Sequence, residues 1–245
     1  LRFLRAYLAA CPWPGAAGPA ALARDLARSF PSFRLRAWRR REDRPFRRCS
    51  EFDREEGEGY TLYRSRWTDT PDLGTVRALL ADPGTEELRR GRRGFVRRGG
   101  GYVLKERDGA HARRLWRNQY RLRQRELPRA EMVLLLLEGG RGLVVTRDLS
   151  PLPDLDRALR EAESGPERAA LAAAARELAR ALHRLGLSNR DLKGPNLLVD
   201  RTGGAPRVVP VDLDGLAFPR RLTRRRRRRD LERLERCLAG GGARD

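Results

Sequence analysis

Apolar positions along this chain change their spacing several times, and each change marks an element. Leu1, Leu4 and Leu8 share one helical face, a Pro/Gly/Ala segment interrupts at 12–19, and a second short helix is expected over 20–30. Residues 31–58 mix arginines with acidic residues without a period and read as a basic linker or solvated arm. From Gly59 the texture becomes that of strands. Residues 60–67 have strand propensity, and 94–97 and 99–105 read as two strands joined by a glycine turn. Residues 110–125 suit a helix with Leu115, Gln119 and Leu122 near one face, and strands at 131–137 and 142–147 follow across Glu138-Gly139-Gly140. Beyond them the chain turns helical. One amphipathic helix is expected over 154–163, and a second is opened by Pro166 and ended by Gly186. A hairpin of strands 197–199 and 208–211 precedes a last helix over 222–239, with Leu231, Leu234 and Leu238 at core spacing.

Composition narrows the classes. A chain of 245 residues can bury a sizeable core as one bilobal domain or one domain plus a tail. Hydrophobic content of 40% excludes global disorder. The net charge of +21 is carried almost wholly by Arg, a bias expected of a GC-rich genome, so part of the basicity is mutational. Such a field still attracts nucleotides, anionic lipid head groups or nucleic acid. Aromatic content of 7% supplies no stacking platform for single strands, and no specific nucleic-acid partner is expected. Cys11, Cys49 and Cys237 are isolated and lack metal-ligand spacing, which indicates a reducing cytosolic compartment. The apolar run 132–137 is far too short to span a membrane. The chain begins at Leu1 without Met, so the lack of a visible signal peptide carries little weight.

The chemistry concentrates in Asn189-Arg190-Asp191-Leu192-Lys193-Gly194-Pro195-Asn196 and in Asp212-Leu213-Asp214-Gly215. A tight loop would turn Asp191, Lys193 and Asn196 toward one point, and Asp212 would arrive there from the end of strand 208–211. Phosphoryl transfer needs this set. A carboxylate orients a hydroxyl (Asp191), an ammonium meets developing charge (Lys193), and two oxygen ligands hold a metal (Asn196, Asp212). The competing reading is a solvent loop that carries D-x-K-x-x-N by chance. The helix end before it, the flanking strands and the Asp at the hairpin's end favour the site. Asp214 is read as a loop cap in preference to a second metal ligand. His183 is read as a packing and loop-bracing residue and His111 as a surface residue. The Arg220–Arg229 cluster has three readings: a solvated helix face, a surface for anionic substrate, or a nucleic-acid patch. The first is preferred, with a bias toward anions.

These two motifs resemble the protein-kinase catalytic loop and its metal-binding motif, with Asn189 where that family usually has His. Lys105, one of only two lysines, resembles the kinase β3 lysine in Val103-Leu104-Lys105, which implies pairing with the α- and β-phosphates of ATP. The Glu that normally partners that lysine has no counterpart, since no acidic residue lies between Asp108 and Glu126. Gln119, Gln124 and Glu126 are the candidates to replace it. The run from Arg92-Arg93-Gly94-Phe95-Val96 and Tyr102-Val103-Leu104-Lys105 through Asp191 and Asp212 to Arg229-Asp230-Leu231 resembles the lipopolysaccharide core kinase family, bacterial enzymes that phosphorylate heptose or Kdo sugars. The likeness spans about residues 60–238.

It implies an α+β, protein-kinase-like bilobal fold, with a small antiparallel-sheet N-lobe at 59–149 and a truncated helical C-lobe at 150–245. It also implies ATP and Mg²⁺, an anionic glycolipid or sugar acceptor, and a cytoplasmic enzyme peripheral to the inner face of the membrane. Residues 1–30 resemble the helical segment that closes the C-terminal end of such a domain, as in a tandem kinase or a self-completing C-lobe. The runner-up readings are a small atypical Ser/Thr protein kinase and a catalytically weak pseudokinase serving as a basic binding module.

Overall fold

The structure is a computed structural model and describes residues 36–240. The expectations for residues 1–35, including both N-terminal helices and Cys11, lie outside the described residues. Two compact units divide the chain, Leu1–Asp43 and Arg44–Asp245. Every element below belongs to the second.

Its first half comprises β1 (Phe52–Gly57), β2 (Tyr60–Ser65), α1 (Leu73–Ala81), β3 (Glu86–Gly91), β4 (Gly94–Gly99), β5 (Tyr102–Asp108), α2 (Gly109–Gln124), β6 (Met132–Glu138) and β7 (Arg141–Arg147). The strands form one antiparallel sheet in the order β1-β2-β6-β7-β5-β4-β3. Strand β6 is apolar at nearly every position because both its faces are covered. Leu135 packs with Trp116 and Tyr120 on the α2 side, whereas Leu134 and Leu136 pack with Val76 on the α1 side. Trp116 is wholly buried and donates its indole N–H to the Pro45 carbonyl at 2.9 Å, which satisfies the polar edge of the core's largest side chain.

Two parts of this lobe depart from the pattern. The stretch read as linker ends in β1, which pairs over six residues with β2. Its one wholly buried side chain is Phe52, and four charged residues follow, so no alternation marks it as a strand. Residues 73–91, given no element by the sequence, form α1 and β3. Asp72 caps α1 by accepting from the Thr75 N–H at 2.6 Å. Edge strand β3, Glu-Glu-Leu-Arg-Arg-Gly, is exposed along its length and is held by pairing with β4. A strand with no buried face leaves no period in its sequence.

The second half comprises α3 (Leu155–Glu161), α4 (Gly165–Arg184), β8 (Ser188–Asn189), β9 (Leu197–Asp200), β10 (Arg207–Pro210), β11 (Leu216–Ala217) and α5 (Arg224–Leu238). Ser164, Asp154 and Thr223 cap their helices through side-chain oxygens, and Pro166 sits in the first turn of α4. Strands β9 and β10 form the expected hairpin, while β8 and β11 make a two-residue pair that the sequence does not announce. Leu178 and Leu182 of α4, Leu197, Val199 and Leu234 join Trp116, Leu135 and Val144 in one hydrophobic cluster. The helical lobe and the sheet are therefore two sides of a shared core. Among the described residues, no helix is long and apolar enough to cross a membrane.

Candidate functional site

Strand β5 carries Lys105 between Val96 of β4 and Val144 of β7 and points its amine toward the loop after β10. Nζ lies 2.9 Å from Asp212 Oδ1 and 3.1 Å from Asp214 Oδ2. Asp214 also meets His111 Nε2 at 2.9 Å and an Arg107 guanidinium nitrogen at 3.5 Å. Its own N–H donates to Asp212 Oδ1 at 3.1 Å. Burial opposes ionisation of Asp214, but Lys105 and His111 outweigh it and hold the carboxyl at about 2. The cap reading of Asp214 is corrected, since its carboxylate binds side-chain cations and not its own loop. His111 is likewise not a surface residue. Neither Gln119, Gln124 nor Glu126 bonds Lys105. Helix α2 reaches the lysine indirectly, His111 to Asp214 to Lys105.

The loop 189–196 forms the facing half. Asn189 Oδ1 accepts from the Asp191 N–H at 3.0 Å, a side-chain turn that tightens the loop where the kinase motif usually has His. Asn196 donates its amide nitrogen to Asp191 Oδ2 at 2.9 Å and to the Asp191 carbonyl at 3.1 Å. This orients the Asp191 carboxylate, whose Oδ1 has only Arg233 at 3.8 Å. The amide oxygen of Asn196 and Oδ2 of Asp212 make no hydrogen bond among the described residues. Lys193 is half-buried, its ammonium without an ion pair among the described residues. Backbone bonds join the halves, Arg190 N–H to the Gly215 carbonyl at 3.2 Å and Val211 N–H to the Asn196 carbonyl at 3.0 Å. Lys105 and Asp212 therefore form one cluster, Asp191 and Asn196 another, and the backbone sets their spacing.

Residues 116–243, just over half the chain, match the model of the lipopolysaccharide kinase (Kdo/WaaP) family. The chain belongs to this family. The matched stretch opens within α2, so Lys105 and His111 lie ahead of it. No curated protein matches the chain in sequence. Solved structures similar to it include the BubR1 kinase domain, 12% identical with a TM-score of 0.43, covering 70% of this chain and 52% of that one. A double mutant of the Mycobacterium tuberculosis PknI kinase domain is 17% identical with a TM-score of 0.43, covering 66% of this chain and 77% of that one. The chain thus spans about half the length of the first of these. Seven antiparallel strands followed by a helical lobe, in a member of this family, make the fold α+β and protein-kinase-like. Family membership supports a phosphotransferase.

Two features of this family member escape motif reading. Asp230 of α5 is fully buried, and its Oδ2 accepts from Ser188 Oγ at 2.6 Å and the Asn189 N–H at 3.1 Å, with His183 Nε2 at 3.3 Å. It anchors the start of the loop, and His183 braces it as expected. The sequence marks Asp230 only within the Arg229-Asp230-Leu231 resemblance, and nothing local names its partners. The other is Asn118 of α2, whose amide donates to the carbonyls of Leu213 and Leu216 at 3.4 and 3.3 Å and so ties the sheet's helix to the Asp212 loop. Cys237, buried against Asp156, has its thiol pushed up to about 12 by that burial and by the carboxylate. It stays a thiol and is not a nucleophile.

Gly215 is required by close approach. A Cβ there would lie 2.6 Å from Asn189 Oδ1, 2.7 Å from Asp191 Cβ and 2.9 Å from the Asp191 nitrogen. Backbone cannot swing aside, so Gly215→Ala is expected to displace the loop at a cost of about 1–3 kcal/mol. Thermal melting should show the loss, and phosphate transfer should fall further than the melting temperature alone accounts for. Unchanged melting and turnover would refute the close approach.

Proposed function

We propose that this protein is an ATP- and Mg²⁺-dependent kinase that phosphorylates a sugar hydroxyl of lipopolysaccharide core or a related anionic glycolipid. The observation that carries this reading is the pairing of Lys105 with Asp212 opposite an Asp191 held by Asn196. The residues fit the group they would hold. Mg²⁺ takes oxygen donors and keeps few protein ligands, and the unpartnered oxygens of Asn196 and Asp212 are of that kind. Among the described residues, no cluster of three or more His, Cys, Asp or Glu forms a closed metal cage. Lys105 would hold the nucleotide phosphates, and Asn196 and Asp212 the metal. Bound MgATP supplies the γ-phosphoryl group and neutralises charge on it.

The chain's own residues do the rest. Asp191, fixed through Oδ2, turns Oδ1 to the acceptor hydroxyl and takes its proton as the oxygen attacks. Lys193, without a protein counter-ion, meets negative charge that develops on the transferring group. The connection from β11 to α5, residues 218–223, is short and leaves no long segment to hold a peptide, which favours a sugar over a protein acceptor. The basic surface suits an enzyme peripheral to an anionic cytoplasmic membrane face.

Calorimetric titration with ATP and Mg²⁺ tests the nucleotide site. Asp212→Ala is expected to weaken MgATP binding by about tenfold or more, the loss of one charge-assisted contact. An unmodified protein that binds no ATP would refute the enzyme reading. Phosphate transfer to lipopolysaccharide core but not to casein would support the sugar acceptor, and the reverse would select a protein kinase.

A further inference from the structure

We infer that the small cavity between the catalytic loop and α5 is a subsite for one anionic group, a phosphate or carboxylate, carried by the acceptor. The cavity measures about 190 Å³ and is lined by Ser188, Arg190, Asp214, Gly215, Arg226 and Arg229 among others. That volume holds roughly six waters at about 30 Å³ each and lies below the ~300–1,000 Å³ of sites that enclose whole small molecules. It is small enough to be filled by one charged group with its hydration.

Charge selects the sign of the ligand. Arg190 and Arg226 make no ion pair among the described residues. Asp214 does not neutralise them, because its oxygens are committed to Lys105, His111 and Arg107. Asp230, 3.3 Å from Arg229, spends its other oxygen on His183, Ser188 and Asn189. Two guanidinium groups from different elements thus line one concavity uncompensated, the fork geometry that suits phosphate and carboxylate. Exposed Arg220, Arg221, Arg224, Arg225 and Arg227 raise the local potential further. They also repel one another and oppose the dipole of α5, a strain that a bound anion relieves. Position assigns the anion to the acceptor. Arg190 directly precedes Asp191, the candidate base that addresses the acceptor hydroxyl, whereas Lys105 reaches Asp214 from the nucleotide side. This role rests on the phosphotransferase reading; occupancy does not, and it is measured without turnover.

Equilibrium dialysis with radiolabelled inorganic phosphate should be run on the unmodified protein and on Arg226→Glu, Arg227→Glu and Lys105→Met. Arg227 is exposed, does not line the cavity and controls for bulk charge. Arg226→Glu is expected to weaken phosphate binding by roughly tenfold or more, with Arg227→Glu close to the unmodified protein and Lys105→Met, which loosens Asp214, losing less than Arg226→Glu. Equal losses in the two arginine variants would mean diffuse attraction only. Loss in Lys105→Met alone would place the phosphate in the nucleotide cleft. Either result overturns the subsite. In transfer assays with phosphorylated lipopolysaccharide core, inorganic phosphate should compete with the acceptor, and Arg226→Glu should raise its KM with little change in kcat. Activation by free phosphate would overturn the acceptor assignment. If the unmodified protein transfers nothing to the core, the acceptor reading fails, while the dialysis still decides the anion site.

Discussion

Asp191→Asn is expected to lower kcat by about 10²–10⁴, the usual contribution of a general base, while MgATP affinity stays within a few-fold. The substitution keeps the shape of the side chain and an oxygen to accept from Asn196 Nδ2, now 2.9 Å from Asp191 Oδ2. The loop therefore has no reason to move. What disappears is the negative charge and the ability of Oδ1 to take a proton. That oxygen has only Arg233 nearby, at 3.8 Å, which leaves it open to a hydroxyl. Nucleotide affinity should survive because Lys105 and Asp212 belong to the other cluster. Single-turnover kinetics beside calorimetric ATP binding would separate the effects. A variant that transfers phosphate at the original rate would remove Asp191 from the chemistry, and parallel loss of ATP binding would make it a structural residue.

The second large effect is expected at Asp230. Asp230→Ala should cost about 3–5 kcal/mol, as when one partner is deleted from a buried charged network. The carboxylate is fully buried and bonds Ser188 Oγ, the Asn189 N–H and His183, all buried, as well as the exposed Arg229, so its removal orphans three buried groups at once. The melting temperature should fall by roughly 10 °C, since each kcal/mol moves a domain of this size about 2–4 °C. Activity should suffer even below the new melting point, because Asn189 begins the loop that presents Asp191. Burial by itself would raise the Asp230 pKa, but His183, Ser188 and Arg229 hold it below its ordinary value of 3.8.

The sign of the pH dependence follows from that depression. The folded state binds fewer protons than the unfolded chain in the window below about 3.8, so stability rises with pH there. The contribution is complete above the unfolded value and is lost as pH falls through the folded one. Denaturant melts across this window should be less pH-dependent in Asp230→Ala. An identical slope would show that Asp230 ionises alike in both states.

Legibility followed burial. The helix around Trp116 and the β9–β10 hairpin bury a defined face and β6 buries both of its faces, so each carries an apolar pattern to read. Strand β3 buries none, and β1 buries chiefly Phe52, so neither carried a pattern although backbone pairing holds both in place. The pairing of Asp191 with Asn196 was legible because a tight loop fixes their spacing. His111 and Asp214 were misread for the opposite reason. Nothing within a few residues of either names its partner, which lies across the cleft.

The elements with a buried face, the tight loop 189–196 and the strand that carries Lys105 were thus determined by sequence alone, since periodicity and tight turns act over a few residues. Tertiary structure alone decided what replaces the missing glutamate, where Asp230 anchors the loop, and that Arg190 and Arg226 line one cavity. Each joins residues between 36 and 109 positions apart, and such partners are chosen by the shared core that packs the sheet against the helical lobe. Electrostatics then fixes the protonation of what that packing has brought together, as Lys105 and His111 do for Asp214.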